Sequence, residues 1–304
     1  MRIKIVLALM LLSFLLLGCD GGDRPLHPEQ KARIAQSIAR ADSAYESGDD
    51  ETAAMAYVDA LKRGSTEARI AVKAARSFAQ NESDDLALRY LMLAVKMGYH
   101  DTEALTKQPA FTTLKGSPQW DSILGAVKRN FEKYLNTLNR EVYEMMLADQ
   151  ADRKEDFSSL SQEELAGIAE RDSARLTRIT EIVEAGELDV ADDYFNAALV
   201  FQHGADSNAY KMAYRLSTKA FQLDSTFAHA AWLSAASQDR YLQSVGKPQV
   251  YGTQYWYKKV HDGSELEWTM EPYDTTAVTD AERQRLHVPS LAEQRVTLLE
   301  MQNQ

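Results

Sequence analysis

The chain has 304 residues, of which 45% are apolar and 26% charged, which is enough for about two globular domains and excludes disordered, collagen-like and polytopic membrane proteins. Its net charge of −11 repels the phosphate backbone of nucleic acid, so no nucleic-acid partner is expected.

The first predicted element is an export signal at residues 1–18. It begins with Arg2 and Lys4 and continues with an uncharged apolar stretch. This stretch is shorter than the ~20 residues that a membrane-spanning helix needs, which is typical of a secretory signal peptide. Its end, Leu16–Cys19, resembles the lipobox of bacterial lipoproteins.

Cys19 is the only cysteine, which excludes an intramolecular disulfide and a multi-thiolate metal site. The lipobox resemblance implies that the signal is removed before Cys19 and that the cysteine is acylated. Two or three acyl chains would anchor the protein stably in a membrane. We therefore expect a lipid-anchored protein of the bacterial cell envelope with its globular part outside the cytoplasm, in either the inner or the outer membrane. The alternative is an ordinary signal peptide that ends at a chance cysteine.

Residues 19–30 are predicted to be a tether, and residues 31–125 helical repeats with a cap. A shift of 34 residues superimposes Ala60 on Ala94 and Gly64 on Gly98, so that small residues recur between helices and glycines recur where helices end. The segment Tyr45–Asp49 resembles the helix–turn–helix of tetratricopeptide repeats, although the usual turn proline is missing. That resemblance implies a groove for a peptide or protein partner. Generic helical hairpins are the alternative.

Residues 126–304 are predicted to form an α-rich domain with a small β-hairpin, which makes the whole chain mostly α. The expected elements are a long helix from Ser122 to about Asp152, a capped helix from Ser161 to Gly186, a repeat-like pair up to Asp224, a helix from Phe227 to Leu242, a hairpin at 255–270 with its turn at 261–264, and two short helices capped by Thr279 and Ser290.

Four polar clusters mark this second half. They are Asp149, Gln150 and Arg153; Gln202 and His203; Asp239 and Arg240; and Gln249, Tyr251, Gly252, Thr253 and Gln254. Together they resemble the signature of an uncharacterised bacterial domain family, which has DQxxR, QH, DR and QxYGTQ motifs and late arginines. Arg283 is a candidate for a late arginine. The resemblance covers about half of the chain and implies no particular activity.

The spacing of the clusters predicts how they meet. Asp149 and Arg153 lie four residues apart on a helix and are expected to pair. His203 and Asp239 are expected on neighbouring helices, close enough for their side chains to touch. The loop at 249–254 is expected to present Gln249, Tyr251 and Gln254 to His203.

Three interpretations of the clusters remain open at this point. They lock a loop onto helices, bind a polar ligand that is neutral or weakly charged, or catalyse a reaction. In the catalytic interpretation His203 is the general base, oriented by Asp239, and Arg153 or Arg240 stabilises a developing anion. No nucleophile is evident in the sequence.

No cofactor and no metal site are expected, because the six histidines share no metal-ligand spacing. Trp256 and Trp268 are expected in the core of the hairpin or, alternatively, in an aromatic platform for a sugar. The function expected from the sequence is an envelope scaffold that binds a peptide or protein and has a polar pocket in its second half. The alternative is a hydrolase-like enzyme that uses His203.

Overall fold

The structure is a computed structural model that describes residues 26–154, 157, 159–260 and 265–302. The predicted export signal, Cys19 and the first part of the tether lie outside the described residues. Within them the chain is mostly α-helical with one two-stranded antiparallel sheet, which confirms the expected fold class. No helix in this part of the chain is both long and apolar enough to cross a membrane.

The chain divides into two compact units, residues 1–131 and 132–304. The helices of the first unit are α1 (Pro28–Glu46), α2 (Asp50–Lys62), α3 (Ala68–Gln80), α4 (Asp84–Lys96) and α5 (Thr102–Lys107), followed by a 3-10 turn (Pro109–Phe111) and the start of α6 (Pro118–Leu135).

The 34-residue period of the sequence is present in the helix boundaries. Helix α2 runs from 50 to 62 and α4 from 84 to 96, so both ends are displaced by 34 residues. Gly64 and Gly98 follow these two helices with φ angles of 100° and 90°, in the left-handed region that ends a helix and favours glycine. Tyr57 and Leu91 occupy equivalent positions in the core, at 0% and 1% exposure. Two similar helical hairpins therefore stack in this unit.

The second unit contains the end of α6, seven further helices and two strands among the described residues. These are α7 (Arg140–Asp152), α8 (Gln162–Ala185), α9 (Ala191–Gln202), α10 (Ser207–Leu223), α11 (Ala228–Ser244), β1 (Trp256–Val260), β2 (Glu265–Thr269), α12 (Asp280–Arg285) and α13 (Leu291–Gln302).

The prediction of one long helix from Ser122 to Asp152 is wrong, because the helix is interrupted between the end of α6 and the start of α7. Asn139 caps α7 by accepting a hydrogen bond from the Val142 backbone N–H at 3.1 Å. The backbone N–H of Asn139 in turn donates to Asp193 at 2.7 Å. A cap and a distant carboxylate thus replace the helical hydrogen bonds at this point.

The other expected elements of the second unit are present. Ser161 and Glu164 form the predicted capping box of α8, and Gly186 ends that helix with a φ of 73°. Strands β1 and β2 pair antiparallel, with Tyr257 opposite Trp268. The predicted turn between these strands lies outside the described residues.

Candidate functional site

A histidine–aspartate pair lies at the centre of the polar clusters. His203 directly follows α9, and its Nδ1 lies 2.7 Å from Oδ2 of Asp149 on α7. Because a carboxylate only accepts, Nδ1 carries a proton and donates it to Asp149, which leaves Nε2 facing away from this pair. The imidazole is one quarter exposed, whereas Asp149 is fully buried. The expected partner Asp239 is therefore a wrong assignment, and Asp149 orients the ring instead.

Asp149 has two further neighbours on its own helix. Gln150 donates to its Oδ2 at 3.0 Å, and Nη2 of Arg153 lies 3.3 Å from its Oδ1. The predicted ion pair between Asp149 and Arg153, one helical turn apart, is confirmed. These contacts hold the carboxylate that orients His203.

Arg153 connects this pair to a row of charges on α7 and α8. It contacts Asp172 at 2.7 Å; Arg175 bridges Asp172 and Asp152 at 2.9 and 2.5 Å; and Arg171 contacts Asp152 at 2.7 Å. Sequence analysis did not identify this network. The only signal for it was the spacing of arginines four residues apart on α8, which is also typical of a solvated helix face.

The network keeps the carboxylate of Asp152 ionised. Hydrogen bonds from Arg171 and Arg175 lower the pKa of Asp152 to about 2, against the opposing effect of burial. A folded-state pKa below the unfolded one gives stability that is present above pH ~4 and is lost as the pH falls towards 2. Asp152 therefore stays ionised throughout the neutral pH range.

Asp239 performs a different task from the one expected, because it binds the loop at 249–254. Its Oδ1 accepts the backbone N–H groups of Val250 and Tyr251 at 2.7 and 2.9 Å. Its Oδ2 accepts the backbone N–H and the hydroxyl of Thr253 at 3.0 and 2.8 Å. This fully buried carboxylate on α11 therefore fixes the loop and does not contact His203.

Arg240 links the remaining clusters to each other. Its Nη1 donates to the backbone oxygen of Gln202 at 2.7 Å, and its Nε donates to Oε1 of Gln254 at 3.3 Å. Its guanidinium also lies over the ring of Tyr210, 5.6 Å from the ring centroid. All four sequence clusters thus belong to one connected set of contacts, although Arg240 rather than the loop adjoins the His203 segment.

Gln249 and Tyr251 serve the loop itself rather than His203. Gln249 is fully buried; it donates to the backbone oxygens of Gln254 and Met270 and accepts the Gln254 N–H. Tyr251 is buried as well, and its backbone oxygen accepts Gln294 Nε2 at 2.5 Å. The prediction that these two side chains face His203 is wrong, because the Gln249 amide holds the loop closed and the Tyr251 ring packs in an apolar cluster with Leu286 and Val288.

Gly252 is required in this loop for two reasons. Its φ of 75° lies in the left-handed region. A Cβ at this position would lie 2.6 Å from Gln294 Oε1 and 2.7 Å from the ring of Tyr273. Tyr273 and Gln294, which were not predicted from the sequence, therefore pack directly against the loop at Gly252 and form what we call its outer wall.

Arg283, the candidate late arginine, supports that wall. It is 1% exposed and donates to the Val278 backbone oxygen at 2.6 Å and to the Tyr273 hydroxyl at 2.7 Å. Tyr273 in turn donates to Gln294 at 2.8 Å. Arg283 is thus part of the structural support of the loop.

Some buried polar atoms next to His203 have no hydrogen-bond partner among the described residues. They are Oδ1 of Asp149, Nη1 of Arg153 and Oε1 of Gln202, the last on a side chain that is only 8% exposed. The structure also shows no hydrogen bond from His203 Nε2 to any described residue. These three atoms are buried away from solvent, whereas the His203 ring is one quarter exposed.

Metal binding has no structural support in the described part of the chain, where no group of three or more His, Cys, Asp or Glu residues is arranged to hold an ion. Comparison with known proteins gave no match, either to a model of a protein family or to a curated protein.

Proposed function

We propose that this chain is a lipid-anchored protein of the bacterial cell envelope that binds a peptide or protein partner, with a polar binding site at His203. The observation that carries the proposal is the partly exposed imidazole of His203, oriented by the buried carboxylate of Asp149. A purely structural role does not require an exposed imidazole whose second nitrogen has no hydrogen-bond partner among the described residues. A role in binding does require an accessible polar group of this kind.

The first unit supports the proposal with a surface that suits an extended partner. An open cavity of about 930 Å³ lies between α1 and α2. Its lining includes Arg33, Arg40 and the exposed Met55, together with Glu51 and an ion pair between Arg63 and Asp59. Arginines bind carboxylates and peptide oxygens, and methionine adapts to varied apolar side chains. The resemblance to tetratricopeptide repeats favours the same kind of partner.

A hydrolase-like enzyme is the second candidate function, and the hydrogen bond between His203 and Asp149 favours it. A carboxylate that holds Nδ1 of a histidine leaves Nε2 placed to accept a proton from water or a substrate. No serine, threonine or cysteine hydrogen-bonds to His203 within the described residues, so an activated water would be the attacking group. Mass analysis of a captured partner, incubated with the wild-type chain and with His203→Gln, distinguishes cleavage from binding.

Replacing His203 tests the binding site. We expect His203→Ala to abolish an adduct formed in cells by a photo-reactive residue at position 210, next to Arg240. We also expect it to lower the free energy of unfolding by only about 1–2 kcal/mol, because Asp149 loses one hydrogen bond and keeps two other neighbours. His229→Ala, at an exposed histidine of the same unit, is the control and should leave the adduct unchanged. An undiminished adduct in His203→Ala would mean that the ring has only a structural role.

Replacing Cys19 tests the anchor. We expect Cys19→Ser to leave an uncleaved precursor that incorporates no labelled fatty acid, because the serine hydroxyl cannot replace the thiol that the lipobox resemblance requires. The measurements are electrophoretic mobility and incorporation of an alkyne-tagged palmitate. Ser13→Ala, in the same export signal, is the control. Normal processing of Cys19→Ser would contradict lipidation.

A further inference from the structure

Arg153 lies between the carboxylates of Asp149 and Asp172 but hydrogen-bonds to only one of them. Its Nη2 donates to Oδ2 of Asp172 at 2.7 Å. The same nitrogen lies 3.3 Å from Oδ1 of Asp149 in an ion pair, and that oxygen has no hydrogen-bond partner among the described residues. Asp172 on α8 therefore takes the donor that Asp149 would otherwise receive.

Asp172 is itself held firmly in place. Its second oxygen, Oδ1, accepts from Nη1 of Arg175 at 2.9 Å, and Arg175 also pairs with Asp152. The side chains of Asp172 and Arg153 are only 17% and 19% exposed, so water screens their attraction less than it screens a surface ion pair. Helix α8 thus fixes the position of the Arg153 guanidinium beside Asp149.

The way in which Arg153 donates affects the hydrogen bond between Asp149 and His203. Oδ2 of the fully buried Asp149 accepts the Nδ1–H of His203 at 2.7 Å. A guanidinium that donated to this carboxylate would take up part of its negative charge and leave it a weaker acceptor for the imidazole. Because Asp172 receives that hydrogen bond instead, Arg153 competes less with His203 for the Asp149 carboxylate.

We propose that Asp172 is a positioning residue of the His203 site. By holding Arg153, it keeps Asp149 available as the acceptor that orients the imidazole. Asp172 lies on α8, a helix to which none of the four sequence clusters belongs. This inference rests on the proposed function, which makes His203 the residue that has to be oriented.

The test follows the Nδ1–H group of His203 by NMR in the full-length chain with isotope-labelled histidine, and His203→Gln identifies the signal. We expect Asp172→Asn, which keeps the shape of the side chain but removes its charge, to release Arg153 towards Asp149. The ring proton should then move upfield and exchange with water at least ~5-fold faster, because its hydrogen bond is weaker. An unchanged signal would overturn the proposal.

Asp152→Asn is the matched control. It removes the same charge from the same network, but the ion pairs of Asp152 are to Arg171 and Arg175 rather than to Arg153. The His203 signal should therefore stay close to that of the wild type. An equal change in both variants would mean that the loss of a negative charge, and not the release of Arg153, is responsible, and the proposal would be wrong.

Arg153→Met provides an independent arm. Methionine has no donor, so the competing group is removed, and we expect the ring proton of His203 to move downfield and exchange more slowly. A general loss of packing would instead speed exchange in both Arg153→Met and Asp172→Asn, and that result would contradict the proposal. These measurements are made on the protein without a partner, so the adduct experiment tests the binding function separately.

Discussion

Replacing Asp239 with alanine is expected to lower the free energy of unfolding by about 3–5 kcal/mol. The carboxylate accepts the backbone N–H groups of Val250, Tyr251 and Thr253 and the hydroxyl of Thr253. Alanine leaves these donors without an acceptor in a loop that the rest of the unit keeps folded. The measurements are urea unfolding and hydrogen exchange, in which the amides of residues 250, 251 and 253 should lose protection.

The control for this variant is Asp224→Ala. Asp224 also accepts a backbone N–H and a hydroxyl, both from Thr226, but it is exposed, so water replaces the lost acceptor. Its loss should cost no more than about 1 kcal/mol. If both substitutions had equal effects, Asp239 would not be the residue that holds the loop.

Replacing Gly252 with alanine is expected to cost about 2–5 kcal/mol. The left-handed backbone contributes about 1–2 kcal/mol for any residue with a Cβ. The new methyl group would also collide with Gln294 and Tyr273, which hydrogen-bond to each other and cannot withdraw freely. Overpacking of this kind adds about 1–3 kcal/mol. Urea unfolding measures the total.

Gly246 offers a control that separates these two costs. Its φ of 73° matches that of Gly252, but nothing lies within 4 Å of the position a Cβ would take. Gly246→Ala should therefore show only the backbone cost. If the two variants were equally destabilised, Gln294 and Tyr273 would not confine the loop.

Sequence reasoning succeeded where structure depends on neighbouring residues. The capping box of Ser161 and Glu164 and the end of α8 at Gly186 are local signals, and both are confirmed. The equal displacement of α2 and α4 follows from a repeat that is visible in the sequence itself. Prediction from the sequence failed between α6 and α7, because the helical pattern of apolar residues continues across the point where the helix is interrupted. There the hydrogen bond from Asn139 to Asp193 decides the structure, and no local pattern announces a partner that distant.

The candidate site shows the same division. The residues of all four clusters meet through a connected set of contacts, but their pairing was predicted wrongly for His203. Helix spacing indicated that Asp239 would lie near His203. The orientation of α11 about its own axis instead directs the Asp239 carboxylate to the loop, and the carboxylate that contacts His203 is that of Asp149. Rotation depends on how whole helices pack, which spacing along the chain does not determine.

The hydrogen bond from Gln294 to the Tyr251 backbone oxygen ties a central loop to the last helix of the chain. A ribosome delivers the amino end first, so residues 249–254 emerge well before their support in α13 exists. Complete closure of the loop has to wait for nearly the whole polypeptide. Shortened versions that stop ahead of position 294 would accordingly expose this segment to proteases, even with every other cluster residue in place.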